Sequence, residues 1–319
     1  MNRAPRPGDP QPSGHGGPTC WIIPSHGRSL VVMAIVAQGF DSNLGRWTHT
    51  QWRPSQGDPL GWAVDRVWDF DGMAAHPQER VFPNGLLELI VQLDDRYLDV
   101  HTTGTTPTPA ACVTGIFSGP IVVRAPRRPC RVLGVRLHPA GAWALLAHPL
   151  CDLADVTGDL GDLLGRRAAE LAERCADAAT GTERVRRTVS WLGRQLQRPE
   201  AGIADPAVHR VARSIAATGG SRPIGPLRAE TGLTDGRLIA LFRQQVGVTP
   251  KRLARIHRFD CALTLLTRTG GPLADVALRA GYYDQPHMNA EFREMAGLTP
   301  REFLAATRYP NSLSLPEPV

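Results

Sequence analysis

The sequence predicts an α+β chain: a β-rich barrel or sandwich, then a helical segment, then an all-α domain with two helix-turn-helix units joined by one long helix. Three observations carry this. Between about Trp47 and Leu137, short apolar runs are separated by Pro, Gly and Asn, the punctuation of strands and turns. Over residues 139–196, apolar residues recur at three- and four-residue steps, the period of an amphipathic helix. Over residues 224–308 the chain repeats itself at a lag of 50: Phe242-Arg243 returns as Phe292-Arg293, and Gly247-Val248-Thr249-Pro250-Lys251 as Gly297-Leu298-Thr299-Pro300-Arg301. Two copies make a duplicated module, since a solenoid needs three or more.

The chain is long enough for two domains. Residues 1–32, rich in Pro, Gly and Ser without apolar periodicity, are expected to be a disordered tail. Met33 offers a second start, and translation is expected to begin there. Residues 33–138 form the β-rich domain, with candidate strands at 63–70, 86–93, 114–123 and 131–137. In the second of these Leu87, Leu89, Val91 and Leu93 share one face, and Glu88, Ile90 and Gln92 the other. Such a sheet, with one dry face and one partly polar face, suits a small barrel or sandwich. Glu88 and Arg136 each interrupt an apolar strand, and a half-buried charge must be paired, solvated or bound. A Glu-Arg pair or exposure on the open face is the plain reading; ligand binding by Glu88 and Arg136 is the sharper one.

The helical segment, 139–198, divides into 142–147, 160–164, 167–178 and 182–196. The last carries the stripe Val185, Val189, Leu192 and Leu196, expected to pack on its own domain, with a homodimer contact as the alternative. Residues 199–204 read as a linker. Asp205 caps a new helix with Pro206 at its first position, and Val208, Val211, Ala212 and Ile215 face inward. In the repeat, each copy is a short helix, a glycine turn (Gly232 or Gly281) and a second helix, and each Thr-Pro opens a further helix. Residues 250–266 therefore join the copies as one helix. Residues 309–319 are a tail.

Charge is concentrated in the repeat. Its twelve basic and eight acidic side chains give it +4 of the chain's +6, which suits phosphate contact. Six scattered cysteines without a Cys-x-x-Cys pair fit reduced thiols in a cytoplasm rather than a disulfide frame or a zinc site. The longest uncharged apolar run, residues 30–37, is too short to span a bilayer.

The stretch from Leu273 to Leu304, with its Gly281 turn and Gly297-Leu298-Thr299-Pro300 exit, resembles the second half of the AraC/XylS-type DNA-binding domain. The resemblance covers residues 205–308. It implies a cytoplasmic, sequence-specific transcription regulator acting on double-stranded promoter DNA, with activation through RNA polymerase favoured. That family often carries a cupin-like barrel holding a small-molecule effector. Here Phe82-Pro83-Asn84-Gly85 and the run Gly134 to Gly141 are similar to a poorly characterised N-terminal domain of some of these regulators. The cupin metal signature is missing, because His76, His101 and His138 stand apart, so no metal and no cofactor are expected.

In a helix-turn-helix the second helix enters the major groove and its outward N-terminal residues meet base edges. In the second copy these are Gln285, His287 and Asn289. Gln and Asn can pair two-point with adenine, and His can donate to guanine or phosphate. Arg293, a turn further on, is placed for the backbone. Asp284 is assigned as the cap. In the first copy the resemblance puts base reading at Gly236, Ile239 and Ala240, which are small or apolar. Arg237 and Arg243 are then left for phosphate, and Ile239 for a thymine methyl. Gly225-Pro226, and Arg228 in the place of Ala277, are expected to loosen the first copy's supporting helix. The chain is not expected to be an enzyme. The alternative, a DNA-alkylation repair protein with a zinc-held cysteine, lacks four cysteines at ligand spacing.

Overall fold

The structure, a computed structural model, describes residues 11–13, 19–23, 31–42, 45–268, 271–306 and 314–316. Its first sheet contains β1 (Gln11–Ser13), β2 (Thr19–Ile23), β3 (Val31–Ser42), β4 (Gly45–Trp52) and β5 (Val64–Gly72). A second sheet holds β6 (Gln78–Val81), β8 (Leu98–His101), β9 (Gly104–Pro107) and β11 (Ile121–Arg124). β7 (Leu87–Gln92), β10 (Ala111–Thr114), β12 (Cys130–Leu137) and, after α1 (Pro139–Leu146), β13 (Thr157–Asp159) complete the first. The first sheet runs in the order β1-β3-β4-β5-β12-β7-β10-β13, with β2 also on β3. Every pairing is antiparallel.

Alternation decides which face each residue serves. Leu87, Leu89, Leu133, Val135 and Leu137 are almost wholly buried on the side covered by helices. Those helices are α1, a 3-10 turn at Leu150–Leu153, α2 (Leu160–Leu164), α3 (Arg166–Ala176) and α4 (Gly181–Gln195). The α4 stripe Val185, Val189 and Leu192, with Trp191 beside it, is buried against β4 and β5, as expected of packing on its own domain. Arg184 on α4 is 1 % exposed and reaches Asp69 on β5 at 2.6 and 3.1 Å and Asp71 at 2.7 Å. This buried pair pins helix to sheet.

Several expectations need correction. Within the presumed disordered tail, Gln11–Ser13 and Thr19–Ile23 pair with β3, whose first residues also fall in it; the rest of 1–32 lies outside the described residues. The strand expected at 114–123 is two strands in different sheets. Between them Gly115 passes so close to Leu153 that a Cβ would fall 1.8 Å from its carbonyl oxygen. In the presumed C-terminal tail, β14 (Ser314–Pro316) pairs with β6.

The C-terminal domain follows the repeat. α5 (Pro206–Ala217) is capped by Asp205, whose carboxylate accepts from the Ala207 amide at 2.8 Å. Next come α6 (Ile224–Ala229), α7 (Asp235–Val246), α8 (Pro250–Arg268), α9 (Leu273–Arg279), α10 (Gln285–Ala296) and α11 (Pro300–Ala305). α8 is the expected single connecting helix. One buried apolar cluster runs from the first sheet through the helical segment into this domain.

Candidate nucleic-acid interface and inter-sheet cavity

α7 and α10 are the second helices of the two helix-turn-helix copies. Thr234 caps α7 by accepting from the Arg237 amide at 3.3 Å, and Asp284 caps α10 by accepting from the His287 amide at 2.8 Å. Their inward faces are spent on the core: Leu238, Leu241, Phe242 and Val246 on α7, Met288, Phe292 and Met295 on α10. Gly236, Arg237, Ile239, Ala240 and Arg243 face outward on α7, as do His287 and Arg293 on α10, with Gln285 half-buried. Among the described residues, Arg237, Arg243 and Arg293 make no side-chain hydrogen bond or close ion pair, though Arg293 lies in electrostatic reach of Glu302.

Two of the proposed readers are less free than their spacing suggests. Asn289 is half-buried and its amide oxygen is out of reach of solvent without a hydrogen-bond partner, so two-point pairing needs another rotamer. The His287 ring stands edge-on to Tyr282 at 5.3 Å, with its Nε2 3.8 Å from Glu291. Tyr283, which the sequence did not single out, is 87 % exposed in the turn immediately before α10.

α10 is braced on α8 by an ionic ladder. Glu291, 8 % exposed at its side chain, accepts from Arg255 at 2.6 Å and Arg258 at 3.4 Å. Glu294 pairs with Arg252 at 2.6 Å and with Arg255. α7 has no such ladder; it packs on α5, α1 and the Leu150–Leu153 turn. In its support α6, only Leu227 is fully buried, against Val276 and Ala277 in α9. Arg228, in the place of Ala277, turns out to Asp235 at 2.8 Å.

Between the two sheets lies a cavity of about 250 Å³. Glu88 and Arg136 both line it and both are paired: Arg136 Nε donates to Glu88 Oε1 at 2.9 Å, and Trp68 Nε1 donates to the same oxygen at 2.6 Å. The pair and the cavity position are therefore both present. Burial opposes the Arg136 charge, and Glu88, with Asp65 and Asp260, more than offsets this, so its pKa is raised. Gly134 allows the Trp68 indole to lie on β12, where a Cβ would meet it at 2.0 Å. His49 and Arg66 also line the cavity. Burial, then Arg66, Arg136 and Arg53, push the His49 imidazole down to about 4. Among the described residues, no group of three or more His, Cys, Asp or Glu is placed to hold a metal. Burial pushes the Cys112 thiol up to about 12 and Cys130 and Cys175 up to about 11, away from the thiolate form.

The cavity wall touches the C-terminal domain. Phe82 lines the cavity and also stacks edge-on with Phe259 of α8 at 6.1 Å and Phe303 of α11 at 5.9 Å. Phe292 of α10 completes the aromatic group, 5.1 Å from Phe259. Arg80 on β6 donates to the Ala296 carbonyl at the end of α10 at 2.9 Å, and Arg252 on α8 to the Ser118 carbonyl at 2.5 Å. None of these cross-domain contacts is encoded by local spacing.

Residues 227–306 match the helix-turn-helix domain family, and residues 53–159 match a domain of unknown function (DUF6597). The chain is similar to the arabinose operon regulatory protein of Escherichia coli (strain K12), 36% identical over 73 residues, 23% of this chain and 25% of that protein. It is also similar to the transcriptional activator RhaR of Yersinia pestis bv. Antiqua, 35% identical over 71 residues, 22% of this chain and 24% of that protein. The probable transcriptional regulator LumQ of Photobacterium leiognathi is 29% identical over 80 residues, 25% of this chain and 32% of that protein. The chain thus spans about a quarter to a third of the curated relatives it matches. Among solved structures, ToxT from Vibrio cholerae O395 aligns over 81% of this chain and 97% of its own at 8% identity and a TM-score of 0.41. The DNA-binding domain of AdpA, solved with a target DNA, aligns over 32% of this chain and 91% of its own at 23% identity and a TM-score of 0.30.

Proposed function

We propose that this chain, whose residues 227–306 are an AraC-type helix-turn-helix domain, is a sequence-specific transcription regulator that receives a small-molecule signal in its N-terminal cavity. The observation that carries the reading is the pair of outward helix faces, α7 and α10, joined by the single helix α8 and flanked by unpaired arginines. The two helices would enter successive major-groove faces about one turn (10 to 10.5 bp) apart. Arg237, Arg243 and Arg293, with Tyr283, take phosphates; Gln285 reads a base edge, with His287 and Asn289 beside it; Ile239 meets a thymine methyl. Phe82 supports the link between cavity and domain, since one ring serves the cavity wall and the aromatic group beneath α10.

The reading includes a cytoplasmic location, a homodimer and contact with RNA polymerase. The α4 stripe is not the dimer surface, because it is already buried within the chain. Among the described residues no helix is long and apolar enough to cross a membrane. Footprinting the purified chain on the DNA upstream of its own gene tests the reading. Gln285→Ala should relax sequence preference by about 1–3 kcal/mol, whereas Arg243→Ala should weaken all sequences alike and flatten the salt dependence. Uniform affinity for every DNA tested would refute sequence-specific regulation.

A further inference from the structure

We propose that the inter-sheet cavity takes a compact aromatic carboxylate, its carboxyl group held by Arg66 and Arg136 beside His49 and its ring lodged among the tryptophan and phenylalanine side chains. The proposal rests on the reading of this cavity as the signal site and specifies the ligand's chemistry.

The sheet itself presents the anomaly. In the register of β5 and β12, Arg66 stands directly opposite Arg136, and like charges directly opposite each other destabilise a sheet. Both side chains are 18 % exposed, so little solvent screens them. Each guanidinium is tied down through Nε alone: Arg66 Nε donates to Asp65 Oδ2 at 2.8 Å, and Arg136 Nε to Glu88 Oε1 at 2.9 Å. Their Nη groups have no hydrogen-bond partner among the described residues. A guanidinium presents five donors in a flat fork, and such forks bind carboxylates two-point. Both arginines line one cavity, with their donor edges unmet and their charges set against each other.

The charge around Arg66 and Arg136 suits a negative group. Arg53 and Arg66 share Asp65, and Arg136 takes Glu88, so three arginines face two carboxylates. Asp260 on α8, also in electrostatic reach of Arg136, lies outside the cavity, and the two further carboxylates that line it, Glu79 and Asp99, stand on the second sheet. The His49 imidazole responds to this field: after burial, the three arginines depress it, and no carboxylate offsets them. It therefore stays neutral at pH 7 and can donate a hydrogen bond to an anion without adding a third charge. At the end of the cavity where Arg66 and Arg136 meet, the local field favours an anion over a cation.

Beside the arginines, aromatic rings form part of the cavity wall. Trp68 lies on Gly134, His49 stacks near it at 6.3 Å, and Phe70 and Trp47 lie 5.5 Å apart. At about 250 Å³ the space falls just below that of pockets holding drug-sized ligands, roughly 300–1,000 Å³, and favours one or two fused rings.

The test uses the full chain and matched probes: phenylacetate and indole-3-acetate, their primary amides, the amines phenethylamine and tryptamine, and acetate. Binding is read by tryptophan fluorescence and calorimetry, with DNA affinity measured in the same samples. At least one aromatic carboxylate should bind about tenfold or more tightly than its amide, and amines and acetate should not bind. Arg66→Gln should remove about that factor for the carboxylate and leave the amide unchanged. Equal binding of acid and amide, preferred binding of an amine, or binding by no probe overturns the proposal. If Arg66→Gln does not fold, the acid-to-amide ratio in the unaltered chain still decides. Carboxylate binding without a change in DNA affinity would retire the signal-site reading and keep the ligand class. An amide or amine that alters DNA affinity would do the reverse.

Discussion

The second helix-turn-helix is braced by an ionic ladder within its own domain, while the first leans on the helical segment. α10 is tied to α8 by Glu291 and Glu294 through three arginines and sits on Phe259 and Phe303. α7 has no ionic ladder among the described residues, and it rests on α5, α1 and the Leu150–Leu153 turn. A duplicated frame can thus give its copies different mechanical partners. The copy with the more polar outward face is tied by ion pairs to α8, and the copy with small or apolar outward residues packs on the helical segment and α5.

This contrast can be broken by substitution. Glu291→Ala leaves two partly buried guanidiniums facing each other, and should cost about 3 kcal/mol; hydrogen exchange should rise in α10 and not in α7. Equal loss in both helices would show that the copies share their support. Gly247→Ala and Gly297→Ala probe the two exits. Both glycines have positive φ, +99° and +67°, which alone costs an alanine about 1–2 kcal/mol. At Gly247 the new Cβ also meets the backbone oxygen of Leu150 at 2.9 Å, whereas at Gly297 it meets the end of the flexible Arg80 side chain. Gly247→Ala should therefore lower the melting temperature more. Glu294→Ala, on a side chain 47% exposed, should cost only about 0.2–1 kcal/mol.

The smallest effect is one of pH. His257 on α8 approaches Gly85 of the N-terminal unit, and burial, then His138, push it down to about 4. A histidine depressed in the folded state favours unfolding once the unfolded chain can protonate. Its penalty is absent above the ordinary value of 6.5 and grows as pH falls from 6.5 toward 4. His49 acts in the same direction in the same window. Melting curves of the unaltered chain and of His257→Gln should diverge there, with the variant losing less stability; parallel curves would place the His257 response elsewhere.

The repeat, its caps and the connecting helix were legible because each is written within a few residues. Asp205, Asp284 and Thr299 accept the amide bonds their positions demand. The hairpin of β8 and β9 was not legible, since Gly104–Pro107 is exposed throughout and carries no apolar rhythm. The Glu88 and Arg136 pair was inferred because each charge interrupts an apolar strand. His49 was missed because polar residues surround it in sequence, and Arg66 because Asp65 beside it offers a local partner; only the sheet register and the cavity place them beside that pair. Arg184 was hidden for the same reason: its partners Asp69 and Asp71 lie more than a hundred residues away.

Both Gly-x-Thr-Pro exits abut the N-terminal unit, Gly247 at Leu150 and Gly297 at Arg80 and Pro120. The unit therefore stands like a caliper, with one jaw behind α7 and one behind α10. A caliper sets tolerance rather than strength. Cut free of it, residues 205–306 should accept target sites with the two half-elements displaced by a base pair more readily than the full chain does.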